Sequence, residues 1–314
     1  MTFQILSLSG GGYLGLYTAE VLAALEARFG GPLARHFDLI AGASVGGILA
    51  LGLAAEVPAA RLAKAFATQG PAIFPPRPAT SWRALLDLPR QLGRPKFAGN
   101  ALRRAIGGMI GETTPLGALA HPCLIPAFCL TTGRPRLFGA AEADRDLAAV
   151  DVALAGAAAP VYFPAIEITG DFYADGGMYA ATPDLLALHE AVHARGMAEE
   201  DIRVLSIGTV SAAFSLPRRM GGQLGLAQWT GRQRLVRALV ASQQQSTTAL
   251  LAARLGHRYL RLDAAPSAAQ GRTISLENAS PTAQRTLRAL AEATAREALD
   301  SSVLAEMMTH RGAG

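Results

Sequence analysis

The sequence predicts an α/β fold: one three-layer domain spanning residues 1–314, in which a mostly parallel sheet carries helices on both faces. Segments with strand character alternate with segments of helical periodicity along most of the chain. Half of the 314 residues are hydrophobic and 17% are charged, which supplies a large core and excludes disorder over most of the length. No composition break marks a domain boundary, and no internal repeat is present.

The elements follow in order. Phe3 to Ser9 alternates as a strand, and Gly10 to Gly12 turn the chain into a helix over Tyr13 to Phe29. Phe37 to Gly42 reads as a second strand, followed by a sharp turn and a helix of small residues, Val45 to Ala55. Helical periodicity resumes over Arg61 to Thr68. Pro71, Pro75, Pro76, Pro78, Pro89 and Pro95 then mark a basic, Pro-rich excursion at about 70–98. A helix over Asn100 to Ile110 precedes strands at Cys123 to Leu130 and Arg134 to Phe138, around a Thr-Gly turn. Next come a helix at Asp146 to Ala157, one strand at Ile166 to Tyr173, a helix at Thr182 to Arg195 and a strand at Ile202 to Ile207. From about 220 the chain is mainly helical, with a short strand at Tyr259 to Leu262. Pro281 to Met308 closes it as one amphipathic helix, with Ser280 as N-cap and Pro281 in the first turn.

Charge and composition narrow the function classes. Basic residues number 29 against 24 acidic, a net charge of +5. Between Ile202 and Leu262 stand Arg203, Arg218, Arg219, Arg232, Arg234, Arg237, Arg254, Arg258 and Arg261, with no Asp or Glu among them. Such asymmetry suggests an anionic partner on one face, although a compositional bias toward arginine would produce it too. No basic helix or aromatic platform accompanies the arginines, so a nucleic acid polymer is not expected. No Lys or Arg precedes the first apolar stretch, as a secretory signal requires. The uncharged run Leu39 to Ala55 falls short of a membrane span of ~20 residues. A soluble, cytoplasmic protein is expected. Cys123 and Cys129 lie roughly 20 Å apart in an extended strand, too far to bridge, and read as free thiols.

Three motifs carry chemistry. Gly42-Ala43-Ser44-Val45-Gly46 is a G-x-S-x-G between a strand and a helix, the setting of a nucleophile elbow. The alternative is a tight glycine turn with an idle serine. A triad would need a histidine later in the chain, and His189, His193, His257 and His310 are available. His189 and His193 sit four apart on one helix, but no Glu or third ligand completes a metal site. His257, in a loop-to-strand setting, is the runner-up base. The other base candidate is Asp175 in Asp175-Gly176-Gly177, which near Ser44 could take the hydroxyl proton directly. Its plain reading is an Asp-Gly turn. Third, Gly10-Gly11-Gly12-Tyr13-Leu14-Gly15 matches G-x-G-x-x-G literally, the fingerprint of a dinucleotide-binding Rossmann protein. That reading needs an acid ending the second strand, yet Asp38 begins it. As an oxyanion hole, the glycine turn offers unobstructed backbone N–H donors.

In this order the three motifs resemble the patatin-like phospholipases, over nearly the whole chain. Val152 to Ala155 with Ala158 to Pro164, and Leu205 to Thr209, are similar to further family segments. The resemblance implies a patatin-like fold and a Ser44–Asp175 dyad without a catalytic histidine, acting on acyl esters of membrane phospholipids. It implies an oxyanion hole from Gly10, Gly11, Gly12 and Val45, with Gly15, Gly42, Gly46, Gly176 and Gly177 as motif glycines, and neither metal nor organic cofactor. The tail Arg258 to Asp263 is similar to bacterial members activated by cyclic nucleotides in antiviral defence. That implies a cyclic dinucleotide activator, sought in the acid-free Ile202 to Leu262 region, and action at the inner face of the membrane. Phe74, Trp82, Leu85, Leu86 and Phe97, interleaved with Arg77, Arg83, Arg90, Arg94 and Lys96, have the makeup of an interfacial segment on anionic lipid, or of a loop packing its aromatics inward. One departure stands out: Leu14 occupies the place of the family's usual Arg or Lys. A catalytically silent lipid- or partner-binding relative is the alternative it raises.

Overall fold

Two parallel strands set the frame. In the computed structural model, which describes residues 2–75, 94–139, 141–210, 214, 216, 221–225, 228, 229 and 234–312, β1 (Phe3–Leu8) leads through α1 (Gly15–Phe29) to β2 (Leu39–Gly42). The strands pair with Leu8 opposite Gly42. Every residue in both is buried, as expected of parallel strands covered on both faces. Then follow α2 (Val45–Ala54), α3 (Ala59–Ile73), α4 (Asn100–Ile110), β3 (Cys123–Cys129), β4 (Arg134–Phe138) and α5 (Ala149–Gly156). The hairpin β5 (Ile166–Ile168) and β6 (Asp171–Asp175) precedes α6 (Asp184–His189) and β7 (Ile202–Ile207). The chain ends with α7 (Arg234–Leu255), β8 (Tyr259–Leu262), α8 (Pro281–Leu299) and α9 (Ser302–Met307).

The eight strands run β5-β6-β3-β2-β1-β7-β8, with β4 on β3; β3-β2-β1-β7-β8 is parallel and the β4, β5 and β6 pairings are antiparallel. Alternate side chains face opposite layers. Leu6, Leu8 and Ile40 pack among residues of α1 and α2, whereas Ile5, Leu39 and Ala41 pack among residues of α6 and α7. The mostly parallel α/β sheet with helices on both faces is therefore the one the sequence predicts. Both cysteines are buried free thiols. Among the described residues, no helix is long and apolar enough to cross a membrane.

Three elements differ from expectation. Ile166 to Tyr173 is not one strand: Thr169 and Gly170 take φ of 50° and 87°, the two positive values of a type I′ turn, and reverse the chain into a hairpin. The closing helix breaks at Ser301, whose backbone is extended and whose hydroxyl accepts the Leu304 N–H, starting α9. Pro71 does not end α3 but lies in its last turns. Its missing N–H leaves the Ala67 carbonyl without a helical donor, and Gln284 Nε2 of α8 donates to that carbonyl at 3.0 Å. Most of the Pro-rich excursion, including Arg77, Trp82, Arg83, Leu85, Leu86 and Arg90, lies outside the described residues.

The carboxyl ends of β1, β7 and β8 are tied by one largely buried cation. Arg261 donates to the hydroxyls of Ser9 and Ser206, each at 2.8 Å, and to Asp263 Oδ2 at 2.7 Å. Asp263 Oδ1 accepts the Val210 N–H at 2.9 Å. Removing Asp263 strands the guanidinium in a low-dielectric site, so Asp263→Ala is expected to cost about 3 kcal/mol of stability, measured by urea denaturation at pH 7.

Candidate active site

Ser44 follows β2 directly and begins α2 with φ 52° and ψ −124°, a conformation costly for a residue with a Cβ. The turn is tight because the chain passes against β1: a Cβ on Gly46 would lie 2.2 Å from the Leu8 carbonyl oxygen. Glycine is required there, which explains one end of the G-x-S-x-G spacing. Gly42 ends β2 at the other.

Asp175 reaches Ser44 through β3. Both β4 and β6 pair with Ala127–Cys129, so they hold opposite edges of that strand. The Ser44–Asp175 contact puts β6 on the edge that β2 vacates after Leu124. Ser44 Oγ donates to Asp175 Oδ2 at 2.6 Å, and Gly177 N–H donates to Oδ1 at 2.7 Å. A Cβ on Gly176 would meet the Pro126 carbonyl oxygen at 2.2 Å, so the Asp-Gly-Gly segment lies flat against β3. Asp175 is 5% exposed, and burial pushes its carboxyl up to about 6, opposed by the two hydrogen bonds. At neutral pH it is an ionised, poorly solvated acceptor already bonded to a serine hydroxyl.

The glycine turn after β1 lies beside the pair. The amides of Gly11, Gly12 and Val45 have no hydrogen-bond partner among the described residues, and Gly11, Gly12 and Ser44 line one cleft with Asp175. Gly10 is different, and the expectation for it is corrected: its N–H is engaged by the Ala181 carbonyl at 2.8 Å and is not open to an oxyanion. Gly10 instead anchors the turn. Its carbonyl accepts from Thr209 Oγ1 at 2.7 Å and from Gln244 Nε2 at 3.1 Å. The Leu276 carbonyl holds the Tyr13 N–H at 2.8 Å on the other side. Neighbouring Gln243 accepts from Ala181 N–H and donates to the Met178 carbonyl. Thus α7 grips both the glycine turn and the loop after Asp175. Sequence reasoning missed Gln243, Gln244 and Thr209, because nothing in their local pattern distinguishes them from solvated polar residues.

The cleft measures about 360 Å³, with largely apolar walls including Phe74, Ala157, Phe163, Leu239 and Leu276. Ser44 also opens onto a narrower apolar slot of about 50 Å³ between Ile48, Phe66, Leu102 and Met109. A serine, a desolvated carboxylate, free amides and apolar walls together suit hydrolysis of an ester with a long acyl chain.

The rival constellations come apart. His257 is exposed and precedes the amino end of β8, at the sheet edge opposite Ser44, and no histidine lines the cleft among the described residues. The exposed rings of His189 and His193 lie against each other, centroids 4.4 Å apart and planes tilted by 44°, and no metal-holding cluster occurs among the described residues. His310 pairs with Asp38 at 2.7 Å, and Asp38 precedes β2 rather than ending it, against a ribose-binding acid. The acid-free region is also less free than its sequence suggests. Arg203 pairs with Glu306, Arg254 with Glu199 and Arg261 with Asp263, while Arg258 caps the Glu199 and Ile202 carbonyls. Arg218, Arg219 and Arg232 lie outside the described residues. Phe74 and Phe97 turn inward onto Phe163, and Lys96 pairs with Glu277, so this part of the excursion packs on the protein itself.

Comparison with known proteins agrees with the motif order. A family model described as patatin-like phospholipase matches residues 6–188. A protein of Pseudomonas aeruginosa named cGAMP-activated phospholipase is 36% identical over 321 residues, covering 99% of this chain and 93% of the relative. Proteins of the same name from Vibrio cholerae and Escherichia coli are 34% and 32% identical, covering 88% and 91% of this chain and 86% of each relative.

Two outcomes are expected from these contacts. Because the fold raises the Asp175 pKa, it favours the protonated form; that stabilising contribution is complete below about pH 4 and lost as pH rises through about 6. Asp175→Asn should therefore raise the thermal midpoint at pH 8, with the gain disappearing at pH 4, in scans at both values. Gln244→Ala should lower kcat by about ten- to a hundredfold with little change in KM, by loosening the glycine turn rather than the cleft, in steady-state assays with a soluble ester.

Proposed function

The chain belongs to the patatin-like phospholipase family, and on that premise we propose that Ser44 and Asp175 form its catalytic dyad, cleaving acyl esters of membrane phospholipids under the control of a cyclic dinucleotide. The 2.6 Å hydrogen bond from Ser44 to the buried Asp175 carboxylate carries the reading. As Ser44 Oγ attacks the acyl carbonyl, its proton passes to Asp175 Oδ2. The N–H groups of Gly11, Gly12 and Val45 receive the charge that develops on the carbonyl oxygen. Collapse breaks the ester bond, and the departing lysolipid alkoxide takes the proton from Asp175. Water then attacks the acyl-serine and gives a proton to Asp175; the freed serine oxygen recovers it as the fatty acid leaves. A carboxylate of ordinary acidity would be a weak base here; the raised pKa of Asp175 narrows the gap.

Leu14 does not argue against activity. Its side chain is buried and lines a small cavity with Val210, Ile274 and Leu276 that adjoins the Ser44 cleft, but Leu14 does not line the cleft itself, and the proposed oxyanion donors are all backbone amides. The relatives named cGAMP-activated phospholipases support a cyclic dinucleotide as activator of this chain; an antiviral effector role at the inner membrane face is part of the same proposal.

The test is fatty-acid release from mixed phospholipid vesicles, with and without a panel of cyclic dinucleotides. Ser44→Ala is expected to lose at least about a thousandfold in rate. Wild-type kcat/KM should fall about tenfold per pH unit below about 6, as Asp175 protonates. No release by wild type with any dinucleotide would leave the silent binding relative as the better reading.

A further inference from the structure

The mouth of the Ser44 cleft has an unusual rim. Nine large hydrophobic side chains are exposed among the described residues, and five of them cluster here: Val161, Met178, Leu235, Val236 and Leu239. Four of the five also line the cleft; Leu235 stands just outside it. Val161 is 79% exposed with φ 73°, a β-branched residue held in an unfavourable backbone region, and its carbonyl is fixed by the Lys96 N–H at 2.8 Å. The first two turns of α7 bury no side chain; its buried residues begin at Ala241. The first two turns therefore leave Leu235, Val236 and Leu239 exposed, while the next turn grips the glycine turn through Gln243 and Gln244.

Charge accompanies the apolar rim. Arg234 and Arg237 flank Leu235 and Val236, and neither forms an ion pair among the described residues. No acid occurs in the sequence between Ile202 and Leu262 to oppose them. Arg234 donates to the Gln228 carbonyl and Arg237 lies over the Phe214 ring, so both keep their full charge. Apolar side chains beside arginines without an acidic partner suit a bilayer surface carrying anionic headgroups, where the former enter the acyl boundary and the latter meet phosphate. An apolar patch at a cleft mouth also marks an interaction site in its own right.

We propose that Val161, Met178 and the Arg234–Leu239 turns of α7 form a docking lip that seats the cleft mouth on an anionic bilayer, so that the ester passes from lipid to Ser44 without crossing water. This rests on the lipid-hydrolase reading above and adds the surface by which the enzyme meets its substrate.

The test separates docking from chemistry. The variant Arg234→Glu, Leu235→Ser, Arg237→Glu alters the lip without touching the cleft wall. It is compared with wild type and Ser44→Ala, each with and without cGAMP. Co-sedimentation uses vesicles of phosphatidylglycerol with phosphatidylethanolamine, and of phosphatidylcholine alone, at low and high salt. Hydrolysis of a soluble short-chain ester is followed in parallel. Wild type and Ser44→Ala should bind the anionic vesicles equally and lose binding at high salt. The lip variant should bind at least tenfold less and hydrolyse vesicle lipid at least tenfold more slowly, while keeping its rate on the soluble ester. Undiminished vesicle binding by the lip variant, or wild-type binding indifferent to anionic lipid and salt, overturns the proposal. So does a lip that holds two copies of the chain together in sedimentation with no vesicle effect. Absence of ester hydrolysis by wild type would count against the enzymatic reading, while the binding of Ser44→Ala still decides the docking.

Discussion

A carboxylate held out of water against a serine hydroxyl is the constraint on which the rest of this structure depends. Ser44 and Asp175 stand 131 positions apart and meet at 2.6 Å. Burial penalises the ionised acid, so the site survives only because each carboxylate oxygen has a donor and the surrounding sheet is stable enough to hold it. The fold invests in this contact at several points: a serine in a strained elbow, a glycine pressed on β1, another pressed on β3, and a hairpin that turns β6 back along the edge β2 leaves free.

The glycine turn poses the converse problem, since open amides cannot be held by the bonds that would close them. It is fixed through neighbouring atoms: the Gly10 N–H and carbonyl and the Tyr13 N–H are all engaged, leaving Gly11 and Gly12 available. Its supports come from the loop after Asp175, the end of β7, α7 and the Leu276 loop. Arg261 and Asp263 stiffen the same corner from behind, joining β1, β7 and β8. The arginine that looks from sequence like a site for a phosphate is spent on preorganisation.

Through α7 the mouth and the interior of the site share one rigid element. Leu239 and Val240 face the cleft opening, and Gln243 and Gln244, one turn on, hold the loops that carry the proposed catalytic groups. Whatever seats the first turns of this helix therefore bears on the same body that sets the glycine turn.

Much of this is legible along the chain because it is local. The strand–glycine–helix unit at Gly10–Gly15 and the strand–serine–helix unit at Gly42–Gly46 are contiguous, and backbone preference over a few residues dictates their shape, so the fold class and the candidate nucleophile and oxyanion segment can be read directly. Asp175 is legible as an acid ending a strand before two glycines, but a plain Asp-Gly turn looks the same until the sheet order is known. The hairpin at Thr169-Gly170 escapes because threonine gives little sign of a positive φ. Gln243, Gln244 and Thr209 escape because their partners lie 62 to 234 positions away. The arginines between Ile202 and Leu262 look uniform in sequence, yet acids from outside that stretch neutralise Arg203 and Arg254, and Asp263 just beyond it neutralises Arg261. The sequence by itself determined what each segment is, since local sterics and hydrophobic period act over a turn or a strand. Only the tertiary structure decided which polar groups meet, because pairing depends on the order in which the chain returns to the sheet, and nothing within a short window carries that order.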